Sequence, residues 1–275
     1  MFWYDGQLYE SEVDDVAGFD TAAVRFGASV FTTLRVYDGS LDHPMTQWQG
    51  HCDRLTQSLT HFKWPIPHWP AVHEGCQVLK AHYPVLRITV FSDGKAWVTG
   101  RELPADLANH QQKGITAWLA PADYTRSFPE HKTGNYLACW LARQAAQRQG
   151  ADEAILTNAQ GDWLETATGN LWGWVNGQWW TPAGTSLGNQ CLPGLMRQRI
   201  LYLLAEMGHT VNLAPWPQLT WSQFDAIAYS NCVVQLLPIH TILFEHTTLE
   251  YDSQHASLKA LQQLIIRSTE HAGDS

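Results

Sequence analysis

Apolar positions recur with a helical period in four stretches of the chain. In TQWQGHCDRLTQSLTHF, residues Trp48, His51, Leu55, Leu59 and Phe62 share one helical face. A second helix is predicted from about Asn135 and stopped by Gly150, and LPGLMRQRILYLLAEMG predicts a third, with Pro193 just inside its start and Gly208 past its end. SLKALQQLIIRSTEHAG predicts a terminal amphipathic helix. Elsewhere β-prone runs are broken by turn dipeptides. FWYDGQLYES, TTLRVYDGSLDH and VLRITVFSDGKAWVTG each turn at Asp-Gly, the signature of a short hairpin. EAILTNAQGDWLET and NLWGWVNGQWWTP predict two more hairpins, and FDAIAYSN predicts a buried strand. LAPADYTRSFPEHKTG holds two prolines and no periodicity, which makes it the candidate linker. Strands and helices mix on both sides of it. The expectation is therefore an α+β protein with a smaller domain over 1–118, a linker over 119–131 and a larger domain over 132–275.

Composition narrows the classes. At 275 residues the chain can bury one large core or two small ones, and 45% apolar with 16% charged residues is a globular balance. A net charge of −9 with no basic run argues against a nucleic-acid or membrane-surface binder, so an anionic substrate would need local arginines. The five cysteines are scattered and form no C-x-x-C pair, which suggests neither a metal site nor a disulfide framework. MFWYDGQLYE has no basic n-region or apolar h-region, and no stretch approaches the ~20 apolar residues of a membrane span. A cytoplasmic setting is expected. The fourteen tryptophans are read as filling core and interface space.

Five positions could carry chemistry. Lys132 is one of six lysines and stands ahead of a helix rather than on its polar face. Its ordinary reading is a surface lysine; its functional reading is an amine placed to attack a carbonyl as a Schiff-base lysine. Glu165 follows a short apolar run in LETATGNLW, where it is either a solvated strand-end carboxylate or the partner of a pyridinium nitrogen. Pro193-Gly194 opens a helix whose first N–H groups, at Leu195 and Met196, form a seat for phosphate, although Pro-Gly before a helix is common. Arg54 in HCDRL is an ordinary helical arginine or a fixed cation beside phosphate. Ser230 and Asn231 end a buried strand, where polar side chains need a partner.

In order along the chain, FTTLRV, HCDRL, HKTGNYL, GADEAIL, LETATGNL, LPGLMRQ and YSN resemble the fold-type IV pyridoxal-phosphate enzymes over nearly the whole length. That family includes branched-chain aminotransferases, D-amino-acid aminotransferases and 4-amino-4-deoxychorismate lyases. The resemblance implies a two-domain architecture like that of D-amino-acid aminotransferase, with pyridoxal 5′-phosphate as cofactor. It implies Lys132 as the residue that carries the cofactor covalently and Glu165 as the partner of its ring nitrogen. Arg54, the N–H groups of Leu195 and Met196, and Asn231 would hold the phosphate. Tyr136 falls where several members place a tyrosine on the phenolic oxygen. A homodimer with its site near the domain junction is implied as well.

Within the family two stretches lean toward the lyases. Thr32-Thr33 stands where branched-chain aminotransferases tend to carry Phe-Glu-Gly, and SNCVVQLLPI resembles the Asn-containing strand end of the lyases; GLMRQ is lyase-like too. This implies a 4-amino-4-deoxychorismate lyase, which eliminates pyruvate to give 4-aminobenzoate for folate synthesis, with Thr33 assisting Lys132. Thr32 is expected on the opposite face of the strand. The alternatives are an aminotransferase of branched-chain or D-amino acids, and a non-catalytic family member, which retention of both Lys132 and Glu165 disfavours. The chain departs from many members in having Ser92-Asp93-Gly94 in place of an Arg-Gly pair, leaving Arg87, Arg101 or Arg126 to meet a substrate carboxylate.

Overall fold

Two Asp-Gly turns build the first part of the structure, a computed structural model that describes residues 1–10, 21–183, 191–214, 216, 218–245 and 247–268. One turn joins β1 (Phe2–Tyr4) to β2 (Gln7–Tyr9); after the short helix α1 (Ala22–Phe26) and strand β3 (Ser29–Arg35), the other joins β4 (Val85–Phe91) to β5 (Ala96–Arg101). Together these strands form an antiparallel sheet in the order β2-β1-β5-β4-β3. The third Asp-Gly, at Asp38-Gly39, closes only a Tyr37–Ser40 bridge, and no strand follows it. Helices α2 (Trp48–Phe62) and α3 (Trp69–Leu79) supply Leu55, Leu59, Val72, Cys76 and Leu79 to a core shared with Val30, Leu34, Ile88 and Val98 of the sheet. The expected α2 face holds: His51, Leu55 and Leu59 are buried, and Trp48 and Phe62 pack at its edge.

The chain divides into two compact units, Met1–Ala105 with His131–Asn135, and Asp106–Glu130 with Tyr136–Ser275. This corrects the boundary expected over 119–131. After α4 (Leu107–Lys113), strand β6 (Ile115–Leu119) buries Ile115, Ala117 and Leu119 and belongs to the second unit's sheet. The five residues around Lys132 are instead zipped onto β3 and belong to the first unit.

The second unit continues with α5 (Leu137–Arg148), the hairpins β7 (Glu153–Thr157)–β8 (Trp163–Thr166) and β9 (Asn170–Val175)–β10 (Gln178–Thr181), and α6 (Leu195–Glu206). Then come β11 (Val211–Leu213), β12 (Ala226–Asn231), β13 (Gln235–Phe244), β14 (Thr247–Glu250) and α7 (Ala256–Arg267). Its sheet runs β11-β10-β9-β12-β13-β6-β7-β8, with β14 added to β13. Pro193 lies outside α6, one residue before the N-cap Gly194, rather than inside it. Many of the tryptophans fill this unit's core: Trp163, Trp172 and Trp216 are fully buried, and Trp163 lies 4.7 Å from Trp221. Among the described residues no helix is long and apolar enough to cross a membrane.

Candidate functional site

Lys132 owes its place to backbone pairing. The Phe31 N–H donates to the Lys132 carbonyl at 2.8 Å, Val30 bridges Thr133, and the Gly134 N–H donates to the Ser29 carbonyl at 2.6 Å. Gly134 sits close against β3: a Cβ there would collide with Ser29 Oγ and force that side chain to turn away. On the preceding side, His131 is buried against His61 and Phe62, with its Nδ1 3.0 Å from Ser58 Oγ. The lysine is thus held by main-chain pairing at and after its own position and by the packed His131 side chain before it, and its Nζ lies 4.7 Å from the centre of the Phe31 ring.

Alternation along β3 gives its two faces different chemistry. Phe31 and Thr33 share one face, and the cross-strand partner of Thr33 is Arg87, whose guanidinium carbon stands 3.6 Å from the Phe31 ring centre. Lys132 and Arg87 therefore gather around one aromatic ring, with Thr33 on the same face of the strand. Thr32 points the other way, as expected, but it is not idle. Fully buried, it accepts a hydrogen bond from Arg54 Nη2 and lies 2.5 Å from His51 Nδ1. It cannot serve as a neutral control for Thr33, because it is joined to the candidate phosphate arginine.

Burial, and after it the charges of Arg54 and Lys132, push the His51 imidazole well below its usual 6.5. The native ring is then neutral where the unfolded ring is protonated, so the unfolded chain binds more protons between the depressed value and 6.5. Stability is expected to fall as pH drops through that window, by up to ~1.4 kcal/mol per pH unit from this group. Denaturant titrations from neutral to acidic pH check this: the fall should be shallower in His51→Asn, and equal slopes would refute it.

The second unit holds the other expected residues. Glu165 on β8 is 4% exposed, not solvated. Its Oε1 accepts from Arg126 Nε at 2.8 Å and its Oε2 from the Leu192 N–H at 2.9 Å. Arg126, itself buried, also donates to the Pro129 carbonyl and stands over the Tyr136 ring. Burial alone would lower its pKa, but the Glu165 and Tyr136 charges and the Glu165 hydrogen bond raise it overall. Arg126 is thereby tied to Glu165 and is a poor candidate for a substrate carboxylate. Nothing in the linear sequence signals this pairing across 39 positions.

Glu165 and Asn170 together fix the approach to α6. Asn170 Nδ2 donates to the Leu192 carbonyl at 2.8 Å, and a Cβ on the N-cap Gly194 would collide with Asn170 Oδ1 and displace that side chain. Gly194 has no side chain to cap the first turn, and the N–H groups of Leu195 and Met196 stand at the positive end of the helix dipole. Asn231 is differently employed than expected: its Oδ1 accepts from the Val233 and Val234 N–H groups, and its Nδ2 donates to the Thr168 carbonyl. Ser230 Oγ accepts from the Trp172 indole. These strand-end groups find protein partners, so the need for one does not by itself point to phosphate. Burial, with a further push from the Glu165 charge, raises the Cys191 thiol to about 12, which excludes a thiolate nucleophile there at neutral pH.

Residues 29–242 match the family model described as amino-transferase class IV. Over 268 residues the chain is 22% identical to an aminodeoxychorismate lyase of Vibrio harveyi, covering 91% of this chain and 94% of that one. It is 32% identical over 255 residues to a probable branched-chain-amino-acid aminotransferase of a Synechocystis species, covering 84% and 81%. The crystal structure of an Escherichia coli branched-chain aminotransferase has the same fold, with a TM-score of 0.82 at 22% identity, covering 98% of this chain and 94% of that one.

Proposed function

The chain belongs to the class IV aminotransferases, and on that premise we propose that it is a pyridoxal-phosphate-dependent aminodeoxychorismate lyase. The cofactor is pyridoxal 5′-phosphate, and the residues present fit it: a backbone-held lysine, an arginine on α2, an uncapped helix start and a buried carboxylate. On this reading Lys132 carries the cofactor and Glu165 meets its ring nitrogen. Arg54, the Leu195 and Met196 N–H groups and the second N–H of Asn231 hold its phosphate, and Tyr136 meets its phenolic oxygen. When bound, the cofactor supplies an electron sink for the carbon that bears the substrate amine.

The observation that carries the proposal is the Phe31 ring flanked by Lys132 and Arg87. It sets a proton-accepting amine beside a permanent cation, as an amine substrate with a carboxylate requires. Arg87 holds a substrate carboxylate and Thr33 orients the neighbouring oxygen. Lys132, as a free amine, would remove the C4 proton of the substrate. The C3–O bond to the enolpyruvyl group then breaks, the ring becomes aromatic, and the departing enolate takes up a proton to become pyruvate. The lyase reading draws support from Thr33 and from likeness to the Vibrio harveyi lyase along 94% of its length.

An aminotransferase is the second reading, favoured by the Synechocystis relative at 32% identity. One assay separates them. Pyruvate and 4-aminobenzoate are expected from aminodeoxychorismate with no keto acid added; turnover of leucine or D-alanine with 2-oxoglutarate, without that pyruvate, would overturn the lyase reading. Thr33→Val is expected to lower the rate roughly ten- to a hundredfold, the loss of one hydrogen bond to a charged group. The exposed row Leu137, Trp140 and Leu141 on α5 supports a homodimer, tested by sedimentation.

A further inference from the structure

The first unit holds a buried imidazole that the proposed chemistry does not use. His51 and Arg54 are one turn apart on α2, and both meet the Thr32 hydroxyl of β3. Arginine can only donate, so the Thr32 oxygen must accept from Arg54. Its single proton is then left for His51 Nδ1, at 2.5 Å, and the neutral ring carries its own proton on Nε2. That Nε2 is buried with no hydrogen-bond partner among the described residues. An orphaned buried donor is unfavourable, and leucine would fill the same space without it. The Nδ1 contact is what distinguishes histidine here.

We infer that His51 is a positioning residue for Arg54: it accepts the Thr32 proton, fixes the hydroxyl rotor, and keeps the Thr32 lone pairs turned toward the guanidinium. Without that acceptor the hydroxyl can turn its hydrogen toward Arg54, and the guanidinium loses one of the contacts that set its direction. The inference rests on the reading of Arg54 as the cation that meets the cofactor phosphate. Its consequence is selective: His51 controls affinity for a phosphate-bearing ligand and has little influence on the same ring without phosphate. Burial and the nearby Arg54 and Lys132 charges keep the ring neutral, as this arrangement needs.

The test titrates the full-length apoprotein with pyridoxal 5′-phosphate and, separately, with pyridoxal, following absorbance. His51→Leu, Thr32→Val and Arg54→Ala are each expected to weaken the phosphorylated ligand roughly ten- to a hundredfold more than pyridoxal. His51→Asn, whose Oδ1 can take the place of Nδ1, is expected to restore affinity to within about threefold of the parent. Should Arg54→Ala leave the ratio of the two affinities unchanged, the phosphate reading of Arg54 fails and the inference falls with it. Should Arg54→Ala shift that ratio while His51→Leu does not, only the role of His51 is overturned, as it also is if His51→Leu weakens both ligands equally. Nitrogen-15 spectra of the parent protein are expected to show His51 as the neutral Nε2–H tautomer; an Nδ1–H tautomer would overturn the inference.

Discussion

Replacing Lys132 with alanine is expected to lower turnover by at least about a thousandfold while leaving the fold intact, because the amine is proposed to serve both as attachment point and as proton acceptor. The prediction separates chemistry from structure because the segment is held by its main chain. The Phe31-to-Lys132 hydrogen bond, the Val30–Thr133 bridge and the Gly134-to-Ser29 hydrogen bond all survive the substitution. The cation over the Phe31 ring contributes only about 0.5–1 kcal/mol at a partly exposed site, so the melting temperature should move little. Borohydride reduction followed by peptide mapping gives the second measurement. A pyridoxyl group is expected on Lys132 of the parent and on no lysine of the variant; its appearance on Lys95 or Lys113 would defeat the assignment.

Local chemistry made much of this legible in advance. Asp-Gly and Asn-Gly turns marked three hairpins correctly, and the period of Trp48, His51, Leu55 and Leu59 gave α2 its buried face. What escaped depends on partners distant in sequence. Strand β6 was hidden at the edge of the supposed linker, because only pairing with β13 and β7 shows which sheet owns it. Strand β13 was obscured by Pro238, which is tolerated because the pairing with β6 begins only at Ile239. The alternation that turned Thr32 away from Thr33 was readable from period two. That Thr32 would meet Arg54 and His51 was not, since the contact needs α2 to lie across β3. Arg126 was read as a candidate for the substrate carboxylate for the same reason: a sequence shows a charge but not its buried counter-charge.

Glu165→Gln is expected to damage activity and stability by different routes, and the two can be separated. A neutral amide in place of the carboxylate removes the charge proposed to face the cofactor's ring nitrogen, and a loss of about 10²–10³ in turnover is the usual cost of removing one such electrostatic contact. Cofactor affinity should change far less, because the contacts proposed for its phosphate remain. The same substitution strips the buried Arg126 guanidinium of its counter-charge at 2.8 Å. Breaking a buried pair from one side costs about 3–5 kcal/mol, and the retained amide oxygen places this case toward the low end. Arg126→Met tests the structural half. It leaves the carboxylate and its Leu192 hydrogen bond in place, so it should lower stability comparably but turnover much less. Because each single change strands the other partner, the double variant should be less destabilised than the sum of the two. Denaturant melts and steady-state rates on the three variants supply the measurements. Full activity in Glu165→Gln with cofactor bound would leave Glu165 as the ion-pair partner of Arg126 and nothing more.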